Sequence, residues 1–174
     1  MKNRMLVVVM VLSVIIVCYI FIHNYNNVDR VEVKLVSCVD GDTARFIVNG
    51  KEEKVRFLGI DTPESTNYVE DYGMDASNYS CSMLKNAKNI YLEYDVNSDR
   101  YDKYNRLLAY IFIDNNNLSE LLLSRGYAEG KYIYGEYKYI SNLCMAQKQA
   151  YNNNLGIWSI GYNYQDSYCV KNNY

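Results

Sequence analysis

The 174-residue sequence holds one histidine, one proline and one tryptophan, and the scarcity of histidine alone removes several kinds of chemistry. His23 stands just after an N-terminal apolar run, so Ser-His-Asp and Cys-His mechanisms and the H-E-x-x-H zinc motif lack their base or ligand. No two of the five cysteines have C-x-x-C spacing, which removes a thiolate zinc site. Any metal must therefore sit among oxygen ligands, a requirement that selects a hard cation such as Ca²⁺ or Mg²⁺. Few ligands and a flexible site lean towards calcium. Excess positive charge is also missing. The formal net charge is −2, and beyond residue 30 there are 15 basic side chains against 19 acidic ones. That balance counts against broad electrostatic binding of nucleic acid, whose footprint is a basic face, so any binding of that kind must be local and metal-assisted. There is no internal repeat, and the length suits one domain plus short extras.

At the N-terminus, Lys2 and Arg4 precede the apolar run Met5–Ile22, which is followed by polar His23, Asn24, Tyr25, Asn26 and Asn27. The run is slightly shorter than the roughly 20 residues a spanning helix needs. It exceeds the roughly 7–15 residues of a signal-peptide apolar core. No small-x-small cleavage site follows it. Residues 1–27 thus read as a signal anchor or signal peptide, the anchor being favoured, with the basic end inside and the rest of the chain outside the cytoplasm. Disulfides are permitted there. Cys38, Cys81, Cys144 and Cys169 could pair in three ways. Cys38 lies in a strand pattern and Cys81 and Cys144 in helical ones, which reads instead as buried free thiols.

The chain is organised around Val39–Glu64. From Asp42, alternate residues are Ala44, Phe46 and Val48, so a carboxylate opens the apolar face of a strand. Arg56 likewise shares a face with Leu58 and Ile60. A charge on an apolar face is costly unless paired or coordinated. Asn49-Gly50 is a hairpin signal, and folding its two strands together brings Asp42 next to Asp61. The only proline, Pro63, stiffens the turn between Asp61 and Glu64. Three acids and a guanidinium thus meet at one end of a hairpin.

The remaining elements follow from periodicity. Val31–Val39 reads as a first strand, Ile90–Val96 as a fourth and Arg106–Ile113 as a fifth, with turns at Asn97–Asn105 and Asp114–Asn117. Helices are expected over Asp75–Lys88, over Leu118–Arg125 with Asn117 as cap and Gly126 as stop, and over Tyr137–Asn153. Tyr127–Tyr134 reads as extended or irregular. Residues 160–174 show no period and are expected to be a mobile tail. The fold class is α+β, a five-stranded OB-type β-barrel with three helices, preceded by the N-terminal hydrophobic helix.

Three separated motifs, D-G-D-T at Asp40–Thr43, V-R-F-L-G-I-D-T-P-E at Val55–Glu64 and D-K-Y-N-R-L-L-A-Y-I at Asp102–Ile111, occur in order, and G-I-W-S closes the pattern at Gly156–Ser159. In these motifs the chain resembles the staphylococcal nuclease (thermonuclease) family, over residues 31–159. The resemblance implies the OB fold and a calcium-dependent nuclease that cleaves DNA and RNA and leaves 3′-phosphates. It assigns the metal to Asp42, Asp61 and the Thr62 carbonyl, and phosphate contacts to Arg56 and Arg106, whose planar forks suit bidentate pairing. Glu64 would be the general base on water. Lys103, Tyr104, Tyr132 and Tyr134 would contact the nucleotide, tyrosine faces stacking on any base. Asn105 stands where the family carries glycine, and asparagine also tolerates the left-handed conformation. The implied partners are nucleic acid and, through the N-terminal segment, a membrane, with the protein a monomer. The rival reading is a non-catalytic, membrane-tethered OB-fold module that binds nucleic acid. A binder has no need for an acid such as Glu64 near phosphate, which favours the enzyme.

Overall fold

The computed structural model describes residues 16–17 and 30–174. The expected N-terminal anchor, 1–27, lies outside the described residues apart from those two. Among the described residues no helix is long and apolar enough to cross a membrane. In chain order the strands are β1 (Arg30–Glu32), β2 (Lys34–Cys38), β3 (Thr43–Val48), β4 (Lys51–Phe57), β5 (Ile60–Asp61), β6 (Ile90–Glu93), β7 (Leu107–Ile113), β8 (Asn116–Asn117) and β9 (Glu129–Gly130). Within residues 30–174 the α-helices are α1 (Gly73–Asn86), α2 (Leu118–Ser124), α3 (Ile140–Asn152) and α4 (Tyr168–Lys171).

Local chemistry sets the first hairpin. Asn49 and Gly50 both take positive φ, 49° and 81°. A two-residue turn of that hand matches the twist of the strands it joins. β3 therefore folds back on β4 with Thr43 opposite Arg56 and Val48 opposite Lys51. β2 extends the meander on the other edge of β3. β4 then pairs with β7 in parallel, Arg56 opposite Leu108, which brings the segment before β7 alongside the charged end of the hairpin.

The hydrogen-bonded order is β1-β6-β7-β4-β3-β2, with β8 on β7 and a separate β5–β9 pair. This corrects the expected five-stranded barrel: the sheet is an open path of paired strands, not a closed ring. Its first strand, read from sequence as one piece, is divided at Val33, whose N–H donates to the Ile90 carbonyl. The half before Val33 pairs with β6 and the half after it with β3. The apolar faces of the sheet and of α2 and α3 enclose one core, in which Phe46, Phe57, Ile60, Leu92, Leu122 and Leu143 are fully buried. Asn117 accepts from the Ser119 N–H and so caps α2, as its position before the apolar run predicts.

Two expectations are overturned. The cysteines are paired, not free: Cys38 with Cys81 ties β2 to α1, and Cys144 with Cys169 ties α3 to α4. The tail is ordered as well. Ser167 and Cys169 are buried, and the Tyr164 ring stacks on Tyr151 at 4.0 Å with Trp158 edge-on to both. A staple and an aromatic cluster supply the order here, and neither has a periodicity to reveal it. Residues 30–174 thus hold a fourth α-helix where three were expected in that stretch.

Peptide mapping of the unreduced protein should return Cys38–Cys81 and Cys144–Cys169. These close loops with sequence separations of 43 and 25. Opening either by a Cys→Ser pair should lower the unfolding free energy by about 3–4 kcal/mol on the chain-entropy model, read by denaturant titration. Four alkylatable thiols in the native protein would instead restore the free-thiol reading.

Candidate active site

Asp42 precedes β3 and Arg56 lies near the end of β4, so the hairpin register alone places them side by side. Both are buried, at 5% and 6% exposure, which makes their pairing obligatory rather than optional. Arg56 Nε lies 3.0 Å from Asp42 Oδ1, and its Nη2 donates to Asp61 Oδ1, also at 3.0 Å. Nη1 donates to the Phe57 carbonyl at 2.8 Å. One guanidinium thus bridges two carboxylates and is also tied to the carbonyl of the next residue. The second oxygen of Asp42 accepts from Thr62, whose N–H and Oγ1 stand at 2.9 and 3.2 Å.

The turn after Asp61 carries Glu64, and a compact loop returns to it. Glu70 accepts from the Glu64 N–H through its carboxylate and donates its own N–H to the Glu64 carbonyl. A Cβ on Gly73 would stand 2.1 Å from that carbonyl oxygen, so only glycine lets α1 start so close. The Glu64 carboxylate accepts from the Thr66 hydroxyl at 2.6 Å and from the N–H groups of Ser65 and Thr66. The Thr66 hydroxyl above all, and then these amides, hold its pKa below the ordinary value.

Arg106 enters from the segment before β7. Asp102 orders that turn, accepting the N–H groups of Tyr104 and Arg106 and, at 2.6 Å, Arg106 Nε. Asn105 takes φ 59°, the conformation expected for glycine there. Tyr104 is exposed, with Lys103 Nζ 5.0 Å from its ring centre. Tyr132 also has positive φ, 56°, an uncommon state for a bulky residue. Its ring lies 5.6 Å from the Arg56 guanidinium. Tyr134 is 84% exposed.

All ten candidate residues, Asp42, Arg56, Asp61, Thr62, Glu64, Lys103, Tyr104, Arg106, Tyr132 and Tyr134, line one cleft of about 720 Å³. They are brought together but not all into contact: Glu64 and Arg106 each bond locally within their own loops. Sequence reasoning missed three contributors. Asp40 accepts from the Asp42 N–H, and burial together with the neighbouring Asp42 charge pushes its pKa up to about 6. Lys131 pairs with Asp61 at 3.0 Å and with Glu129 at 2.9 Å. Burial works against its charge, yet these two partners hold its pKa above the ordinary value. Asp61 is raised by burial against the opposing pull of Arg56. Asp102 is the third, and the D-x-x-x-R spacing was the signal that could have found it.

Asp40, Asp42 and Asp61 supply the hard oxygen donors that calcium prefers. Among the described residues, however, no group of three acidic, histidine or cysteine side chains is gathered as a metal site. Arg56 occupies the bridging position between Asp42 and Asp61. The cleft is lined by six carboxylates and three cationic side chains, so its own charge repels phosphate. The donor chemistry fits a hard cation, and the charge balance calls for one.

Removing the bridge should be costly in itself. Arg56→Met is expected to destabilise the protein by about 3–5 kcal/mol, the usual cost of orphaning a buried charge. Adding Asp42→Asn should recover part of that loss in a double-mutant cycle followed by denaturant unfolding. Strictly additive losses would mean that the two groups do not interact.

Comparison with known proteins bears on the same residues. The family model described as staphylococcal nuclease homologue matches residues 54–160, more than half of the chain. The match includes Arg56, Asp61, Glu64 and Arg106 and begins after Asp42. Among curated relatives, the chain is 40% identical over 141 residues to endonuclease YncB of Bacillus subtilis, covering 79% of this chain and 66% of that protein. It is 41% identical over 135 residues to the SPbeta prophage-derived endonuclease YokF of the same organism, covering 75% and 45% respectively. It is 35% identical over 137 residues to the thermonuclease of Staphylococcus hyicus, covering 77% and 79%. The chain therefore spans just under two thirds of the first of these relatives and under half of the second. On the family match over more than half of its length and on these similarities in sequence, the chain belongs to the staphylococcal nuclease family.

Proposed function

We propose that this protein is a calcium-dependent nuclease that hydrolyses phosphodiester bonds of DNA and RNA and leaves 3′-phosphate ends. The observation that carries the proposal is the cleft in which two arginines, a glutamate and exposed tyrosines surround the buried Asp42 and the half-buried Asp40 and Asp61. Relatives named endonuclease and thermonuclease support it.

Asp42, Asp61 and the Thr62 carbonyl would hold the calcium ion, which when bound neutralises charge on the scissile phosphate. Arg56 and Arg106 offer N–H pairs to phosphate oxygens, and each is already oriented by a carboxylate. Glu64 accepts a water proton through its carboxylate, which the Thr66 hydroxyl positions and whose pKa it holds below the ordinary value. Tyr104, Tyr132 and Tyr134 give bases a stacking surface with no sequence preference. The two disulfides support action in an oxidising compartment outside the cytoplasm, with residues 1–27 as a membrane anchor or signal peptide. The chain acts as a monomer in this reading.

One observation favours the rival, a binding module without catalysis: the Arg56 bridge between Asp42 and Asp61, with no metal-binding group gathered among the described residues. The two readings part in a single assay. Heat-denatured DNA incubated with the full chain should be degraded with calcium, but not with magnesium or a chelator, and should yield 3′-phosphates. A folded protein that cleaves in no metal would leave the binding module standing. In the active protein, Glu64→Gln should lower kcat by about 10²–10⁴. Undiminished turnover in that variant would remove Glu64 from the chemistry.

A further inference from the structure

Asp61 has a cation on each of its oxygens, and the two are unlike. Arg56 Nη2 donates to Oδ1 and Lys131 Nζ to Oδ2, each at 3.0 Å. The Arg56 side chain is 7% exposed, and its other two nitrogens are tied to Asp42 and to the Phe57 carbonyl. The Lys131 side chain is 46% exposed, on a flexible four-carbon stem. An exposed ion pair of this kind is weak and easily exchanged. Of the two cations on Asp61, only Lys131 can be given up without orphaning a buried charge.

Backbone pairing delivers the ammonium. β5 and β9 run antiparallel with Asp61 opposite Glu129, two carboxylates that repel across the ladder. Lys131 follows Glu129 at the two-residue period that puts side chains on one face. Its N–H donates to the Gly59 carbonyl, and its Nζ lies 2.9 Å from Glu129 Oε1 as well as on Asp61. The buried Gln147 accepts the Gly130 N–H between them, which fixes the backbone on which the lysine stem turns. The ammonium therefore has a second carboxylate to rest on when it leaves the first.

We infer that Lys131 is a built-in competitor for the metal: it holds Asp61 Oδ2, an oxygen of the proposed calcium site, and yields it to a divalent cation by shifting onto Glu129. The inference rests on the calcium reading of the cleft and concerns how much calcium is needed, not the chemistry. A divalent ion offers Asp61 twice the charge of the ammonium, whereas a monovalent ion offers no more than the lysine already supplies. The exchange thus raises the calcium concentration required and discriminates against monovalent ions.

The test reads calcium affinity rather than cleavage, by calorimetric titration of the full chain with calcium chloride at constant ionic strength. Wild type, Lys131→Met, Glu129→Gln and the double variant are compared. Lys131→Met should bind calcium about 5-fold more tightly than wild type, the scale of one exposed ion pair. Glu129→Gln removes the resting place, so it should weaken calcium binding by a larger factor when Lys131 is present than in Lys131→Met. An affinity unchanged or lower in Lys131→Met would overturn the inference. Equal factors for Glu129→Gln in the two backgrounds would overturn it too, being the mark of a charge that acts only at a distance. Should Lys131→Met fail to fold, Lys131→Gln takes its place. The nuclease reading is decided separately, by the cleavage assay. If wild type binds no calcium, the calcium reading fails; binding that appears once Lys131 is replaced still supports the competitor, and none in either protein overturns it.

Discussion

Everything in the charged end of this fold depends on one guanidinium shared by two carboxylates. Arg56 and Asp42 are both buried, and neither could be left unpaired there. Their separation is set by backbone, not by side-chain choice: the hairpin register places them on neighbouring strands, and the Phe57 N–H donates to the Asp42 carbonyl directly beside the pair. Asp61 reaches the same guanidinium only because β5 pairs with β9, which also delivers Lys131 to its other oxygen. The electrostatics and the topology are therefore the same constraint seen twice. A cation entering this end would have to compete with charges already in place.

The site divides into a rigid half and an adjustable one. Arg56 belongs to the sheet and Asp42 directly adjoins it, whereas Glu64, Lys103, Tyr104 and Tyr134 project from turns whose bonds are local. Local bonds resist distortion less than a core does, since segments with few buried contacts open at low free-energy cost. Glu64 is bracketed by Glu70 and Gly73 and bonded by Thr66, which places its carboxylate without tying it to the arginines. In the proposed mechanism, charge neutralisation would thus rest on the stiff part of the fold and water activation on the part that can move.

What could be read from the sequence was what depends on neighbours along the chain. Asn49-Gly50 announced its hairpin because only a few residue types accept two positive φ angles in succession. Asp42 and Arg56 stood out because period 2 put charge on apolar faces, and the Asn117 cap because its acceptor serves an N–H two residues on. The features that could not be read are those fixed by distant pairing. Lys131 reaches Asp61 across a two-residue ladder too short to leave a pattern, and Asp40 was hidden beside a more conspicuous acid. The division of the first strand at Val33 depends on which neighbour each half finds. The cysteine pairs and the ordered tail depend on proximity in space, for which residues 160–174 carry no periodic sign.

The disulfides follow one another in sequence without overlap, Cys38 with Cys81 and then Cys144 with Cys169. Among these four, each cysteine is joined to its next neighbour along the chain. A polypeptide oxidised progressively from its N-terminal side would meet the correct partner first on both occasions. Its native connectivity is also its kinetically simplest one, so this architecture can be stapled during emergence without the reshuffling that interleaved bridges require.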